Sequence, residues 1–162
     1  SQLSVACQLV LSTVHTNSAI AAITRLRDMG IESFLLASSL RTIISQRLVR
    51  RLCKGCKYEE VASSQAVNLF NLDPGIGIWN SKGCNECSNT GYQGRIAIAE
   101  CIQVDKKLKE MIHNHESENV ISEYVFKDNQ SIDQASRDLL ISGITSCDEL
   151  IRVGNLQEDV GI

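Results

Sequence analysis

Two Cys-x-x-Cys pairs, Cys53/Cys56 and Cys84/Cys87, with 27 residues between them, constrain this chain more than any other feature. Two thiolates on one tight turn can share a metal ion, and two such turns supply four soft ligands that close a tetrahedral site with no position left for chemistry. The pattern reads as a structural zinc site. Gly55, Gly83 and Gly91 stand where the backbone must fold around the metal. The gap is longer than the roughly 15–20 residues of the commonest form of this pattern. Two redox dithiols, or four unliganded core cysteines, are the other readings. A disulfide framework is disfavoured because seven cysteines leave one thiol unpaired. Cys7, Cys101 and Cys147 lie in apolar or helical patterns and are expected to be small buried hydrophobes.

The length of 162 residues allows one ordinary domain, or one core with a small metal-stapled lobe. No cationic leader with an apolar run opens the sequence, and no apolar stretch approaches the roughly 20 residues of a membrane span. A soluble chain is expected, and reduced metal-binding thiols suggest the cytoplasm. A net charge of −3 argues against a general nucleic-acid binder. The cationic residues Arg41, Arg47, Arg50, Arg51, Lys54 and Lys57 nevertheless cluster within 17 positions, as a solvated helix face or as a contact for phosphate or an acidic partner.

The run 8–14 is short, β-branched and apolar on both faces, which predicts a strand buried in a parallel sheet. Ser18 is placed to cap a helix from Ala19 to Met29, and Gly30 to end it. A second helix is expected from Phe34 to about Leu52, capped by Ser33, with Leu36, Leu40, Ile43, Ile44 and Leu48 as its apolar stripe. A short helix is expected around Val61 to Leu72, then a turn at Pro74-Gly75. Ile96 to Val104 reads as a strand. Asp105 begins a third helix, and Ser117, Ser131 and Thr145 are candidate caps of later ones, with Gly143 as a terminator. The tail from Gly154 is expected to be loose.

The runs Leu9-Val10-Leu11-Ser12-Thr13-Val14-His15-Thr16-Asn17, Leu36-Ala37-Ser38-Ser39-Leu40 and Gln46-Arg47-Leu48-Val49-Arg50-Arg51-Leu52-Cys53 resemble the secretion ATPase superfamily, the motors of type II secretion and type IV pilus assembly. The second cysteine pair and the following Ser88-Asn89-Thr90-Gly91-Tyr92-Gln93-Gly94-Arg95 resemble the tetracysteine zinc subdomain of that family. Helices ending in Gly143-Ile144-Thr145 and continuing Asp148-Glu149-Leu150-Ile151-Arg152-Val153 resemble its C-terminal bundle. The likeness runs from about Ser4 to Val153.

The resemblance implies an α/β fold, with 1–52 as the second half of a RecA-like ATPase core containing a partial mixed sheet. It implies a tetracysteine zinc-binding subdomain at 53–92, a strand and C-terminal helical subdomain at 93–153, and a tail at 154–162. The four cysteines would hold structural Zn²⁺. His15 matches the family's histidine box, at a strand end beside the nucleotide, where an imidazole can sense the γ-phosphate. Ser18 stands where the family usually has aspartate. The parent would be a cytoplasmic homo-hexameric ATPase using ATP and Mg²⁺, peripheral at the inner membrane through secretion or pilus platform proteins, with no direct nucleic-acid contact.

Phosphoryl transfer needs a glycine-rich loop ending in Lys-Ser or Lys-Thr and carboxylates for Mg²⁺. The chain has no Gly-Lys dipeptide. Ile96-Ala97-Ile98-Ala99-Glu100 imitates a Walker B strand but follows the metal lobe and is read as structural. A start at Ser1-Gln2-Leu3 fits a fragment, which is expected to be inactive alone. The other functional class is a zinc-stapled adaptor that docks a partner through the basic helix end near Arg47 to Arg51. His113 and His115 are expected on the surface.

Overall fold

The helix expected from Phe34 to Leu52 is in fact two elements. A computed structural model describes residues 9–154, and in it α2 (Ser33–Ser39) gives way at Leu40 to the strand β1 (Thr42–Leu52). Leu36, Leu40, Ile43, Ile44 and Leu48 satisfy a helical stripe, but Thr42, Ile43, Ile44 and Val49 are β-branched and residues 42–48 alternate in exposure. The strand β4 (Tyr92–Gln103) decides the outcome. It pairs antiparallel with β1 from Thr42↔Gln103 to Leu52↔Tyr92, with an irregularity near Arg51. Pairing along so much of both strands satisfies a backbone that a helix would have satisfied locally.

Ser18 caps α1 (Ala19–Asp28), accepting from the Ala21 amide, and Gly30 leaves it at φ +85°. Ser33 is not a cap but the first residue of α2, preceded by Glu32. Between the cysteine pairs, β2 (Lys57–Val61) and β3 (Gly77–Ser81) form an antiparallel hairpin around α3 (Ser64–Phe70). The C-terminal part is helical, as expected: α4 (Lys106–His113), α5 (Glu118–Val125), α6 (Ile132–Ile141) and α7 (Cys147–Gly154). Asp105, Ser117 and Ser131 cap the first three, whereas Ser146 rather than Thr145 accepts from the first turn of α7. The Thr145 hydroxyl donates instead to the Arg50 carbonyl at 2.8 Å.

The structure is thus mixed α/β, with both two-stranded sheets antiparallel. The expected strand over Leu9 to Val14 is absent. The segment has no regular structure, and Leu9 and Leu11 are 83% and 88% exposed. A buried parallel strand needs hydrogen-bonded neighbours, and none of the described residues supplies one. Of the cysteines expected to be buried, Cys101 is instead exposed on the outer face of β4, and Cys147 is only half-buried, packed against the core. Cys7 and the tail beyond Gly154 lie outside the described residues, and Gly154 itself closes α7.

Two apolar clusters line the inner face of the ribbon. Ala19, Ile20 and Ile23 of α1 join Leu36, Ile102, Leu108, Met111, Ile112 and Ile121 at one end. Val49, Ala66, Phe70, Ile78, Ile98, Ile132, Leu140 and Leu150 form the second, to which β1, β4 and the lobe all contribute. Gly143 sits between the lobe and α6, at φ +64°, with the Trp79 indole packed where a Cβ would stand.

Glu149 fastens α7 to β1. Its side chain is 0% exposed, and it accepts from Arg50 Nε at 2.9 Å, from Arg50 NH2 at 2.6 Å and from the Arg50 amide at 2.9 Å. Arg152 adds two bonds at 2.8 and 2.7 Å. Desolvation pushes the Glu149 carboxyl up, but hydrogen bonds from Arg152 and Arg50 outweigh it and hold it at about 2, below the ordinary 4.5. A depressed carboxyl contributes stability that is complete above its unfolded value and is lost as pH falls through the folded one. Wild-type Tm should therefore fall more steeply than that of Glu149→Gln between pH 5 and pH 2. The neutral-pH difference, about 1.5–3 kcal/mol for hydrogen bonds to a charged group, should close at the acid end. Parallel thermal melts across that range check it, and a constant difference would remove the ion pairs from the account.

Candidate metal centre

β1 ends at Leu52 and β4 begins at Tyr92, so the last pair of the ribbon delivers the chain into both cysteine turns. After Leu52, the amides of Cys56 and Lys57 turn back onto the Cys53 carbonyl. The second turn, a single 3-10 turn at Asn85–Cys87, brings the amides of Cys87 and Asn89 onto the Cys84 carbonyl, with Ser88 and Asn89 left-handed. Gly83 is required here. It adopts φ +86°, and a Cβ would lie 2.7 Å from the Asn89 carbonyl oxygen. The Cys53 amide donates to the Gly91 carbonyl at 2.9 Å and so ties one turn to the other.

The four sulfurs lie within 4.8 Å of one another. Cys53 and Cys84 are 3.8 Å apart, Cys56 and Cys87 3.9 Å, and Cys84 and Cys87 3.8 Å. A tetrahedron with metal–sulfur bonds of about 2.3 Å has edges of about 3.8 Å. The cage therefore fits a tetrahedral ion bound by four thiolates. Cys53 and Cys87 are buried and the other two half-buried.

The protons also fit a cation. Desolvation pushes the Cys87 thiol up, yet the amides of Cys84 and Gly91, 3.2 and 3.3 Å from its sulfur, together with the neighbouring thiols, bring it down to about 6. Desolvation, then Cys84 and Cys87, push Cys56 up to about 12. One thiolate is easy and four are not, because like charges at these distances repel. A divalent cation removes that repulsion, so binding it must release protons.

The lobe is braced from outside. The Leu52 amide donates to the Ile144 carbonyl at 2.8 Å, and Lys57 Nζ donates to the Gly143 carbonyl at 3.1 Å while lying 4.4 Å from the Trp79 ring. Arg50 stacks 4.1 Å over Tyr92, whose hydroxyl meets Ser146 Oγ at 2.6 Å. The basic cluster is therefore not a solvated helix face. Arg47, Arg50 and Arg51 lie on β1, and Arg47, Arg50 and Lys57 are held by the Asn17 carbonyl, Glu149 and Gly143. No helix end exists there for a partner to dock on.

His15 stands apart from the four cysteines, exposed in the segment before α1. His113 and His115 are exposed as expected. Glu100, read as structural, is buried and bonded to two helix starts. It is 3% exposed, its Oε1 accepts from the Ala19 amide at 2.6 Å and its Oε2 from the Ile132 amide at 3.3 Å. An acid within an otherwise apolar strand is the available signal, but its partners lie 81 and 32 residues away.

A lobe closed by four cysteines at the end of a ribbon defines a class of α/β protein organised around a candidate four-cysteine metal site. The profile of the Type II/IV secretion system protein family matches residues 4–152, and the chain belongs to that family. It is 44% identical, over 94% of its length, to a "Type II secretion system protein E" of Klebsiella pneumoniae. It is 42% identical over 94% to a "Type II secretion system ATPase E" of Vibrio cholerae, and 44% identical over 95% to a "Putative type II secretion system protein E" of Escherichia coli. The chain spans about a third of the length of these relatives, 31% for the first two and 32% for the third.

Elemental analysis should find one tightly held divalent ion per chain, and chelation should release it. Binding by four cysteines contributes on the order of 10–16 kcal/mol in peptides, so Cys84→Ser should lose the ion and speed amide exchange across β2 and β3 more than across α1. A reduced, fully folded chain free of metal would defeat the assignment.

Proposed function

We propose that the chain is the C-terminal part of a secretion ATPase that couples ATP hydrolysis to type II secretion or pilus-like assembly, and that the ion in its lobe is structural Zn²⁺. One observation carries this reading beyond family membership: the outer face of the ribbon is an apolar surface without a partner among the described residues, and Leu9, Val10 and Leu11 are exposed as well. Ile44 and Leu48 are 63% and 56% exposed on that face, beside Ala97, Ala99 and Cys101 of the paired strand. A surface of this kind suits completion by the upstream two-thirds of a longer protein, within a RecA-like core whose second half is 1–52. The lobe at 53–92 and the helical part to 153 then follow that core in the chain.

In this reading the phosphate loop and the Mg²⁺ carboxylates belong to the upstream part, and the full-length protein is a cytoplasmic homo-hexamer docked on inner-membrane platform proteins. Zinc supplies no chemistry, because four thiolates fill its coordination sphere. We assign the nucleotide contact to His15, which is exposed just before α1. An imidazole there can hydrogen-bond a γ-phosphate oxygen. Ser18 retains the capping role at the family's usual aspartate position, through its bond from Ala21.

Two outcomes follow. This chain alone, zinc-replete and free of contaminants, should not hydrolyse ATP, and measurable turnover by it would contradict the assignment of the phosphate loop to another part. In the full-length protein His15→Ala should lower steady-state ATPase turnover by roughly one to three orders of magnitude, the range for losing a positioned polar group. Its Tm should barely move, since the side chain is exposed. Unchanged turnover with a large drop in Tm would make His15 a structural residue.

A further inference from the structure

We infer that Glu100 is the positioning residue for His15, a deeper claim that rests on the proposed role of that histidine. The carboxylate is buried and makes no ion pair among the described residues. Its two oxygens are divided between the first amides of two helices, Ala19 of α1 and Ile132 of α6. Both helices point their positive N-terminal ends at it, so the charge is balanced by dipoles and amides instead of by a cation.

Placement gives the carboxylate its second role. Ala19 is four residues from His15, and the chain between them is held at every step. Thr16 Oγ donates to the Ser18 carbonyl at 3.0 Å, Ser18 Oγ accepts from Ala21 at 3.1 Å, and Arg47 NH2 donates to the Asn17 carbonyl at 3.0 Å. Glu100 and Arg47 both rise from the β1–β4 ribbon, where Glu100 lies opposite Ser45. The residues immediately after His15 are thereby tied to the ribbon at Asn17 and Ala19. Through its other oxygen the same carboxylate fixes the start of α6, so a shift of α6 along its axis reaches the histidine loop through one side chain. Glutamine at this position keeps one acceptor and turns an N–H group toward the other amide. Aspartate keeps the charge but is one methylene too short to span both.

The test uses the full-length ATPase, with steady-state kcat and KM for ATP and the Tm of each variant. Glu100→Gln should lower kcat about 10- to 100-fold, the loss expected when a group is misplaced by about 1 Å, and change KM less than about threefold. Asp105→Ala, which removes the cap of α4 and its 2.7 Å bond from Leu108, serves as a destabilised control whose kcat should stay near wild type. Combining Glu100→Gln with His15→Ala should cost no more than His15→Ala alone. Glu100→Asp should repeat the kcat pattern and replaces Glu100→Gln if that variant does not fold. A Glu100 effect that matches Asp105→Ala at equal loss of Tm, or that multiplies with His15→Ala, overturns the inference and leaves the role of His15 standing. Unchanged turnover in His15→Ala overturns both.

Discussion

The antiparallel pairing of β1 with β4 is the constraint from which the other elements take their positions. It brings Thr42 opposite Gln103 and Leu52 opposite Tyr92, and so fixes what each end of the ribbon presents. At one end the chain leaves through Cys53 and returns through Cys87 and Gly91, and the four thiols close the excursion. A metal there shortens the effective loop between two strands that are already paired. Ribbon and cage thus each lower the entropy cost of forming the other. At the other end, Ile102 and Val104 carry the ribbon into the cluster formed with α1, α2, α4 and α5.

Two buried glutamates secure the helices to this ribbon by different electrostatic means. Glu149 is surrounded by guanidinium groups, whose own exposure on the surface lets them stay hydrated while they neutralise it. Removing that carboxylate frees two cations that water can accept and leaves only the part-buried Arg50 amide without its acceptor. Glu100 has two helix N-termini in place of cations, and water does not reach the amides that it satisfies. Its removal leaves buried donors unpaired, the costlier kind of loss. The difference explains why one glutamate can act as a fastening and the other as a setting of geometry.

What was legible in the sequence was local. The cysteine turns could be read because metal ligands must recur at short spacing, and Ser18, Asp105, Ser117 and Ser131 because a cap acts within three residues. The start of β1 was misread because Leu36 to Leu48 fits a helical stripe and an alternating strand alike, and only β4, some fifty residues on, chooses between them. The hairpin of β2 and β3 escaped notice for a similar reason, since α3 separates its strands. Arg50 was counted as part of a charged face because nothing near it in sequence announces Glu149, 99 residues away. Leu9 to Val14 carries a strand pattern that the described residues do not use, since the pattern records a need for neighbours and does not supply them.

With the proposed role of His15, the layout also separates stability from chemistry along one strand. Tyr92 adjoins the metal lobe and Glu100 adjoins the histidine loop, and at about 3.3 Å per residue they are roughly 25 Å apart on β4. In the proposed reading, an ion bound by the four cysteines at that distance would have negligible electrostatic reach to a nucleotide. Its influence on the far end must be mechanical, through the stiffness of a ribbon anchored at Leu52 and Tyr92 and braced by Arg50, Tyr92 and Ser146.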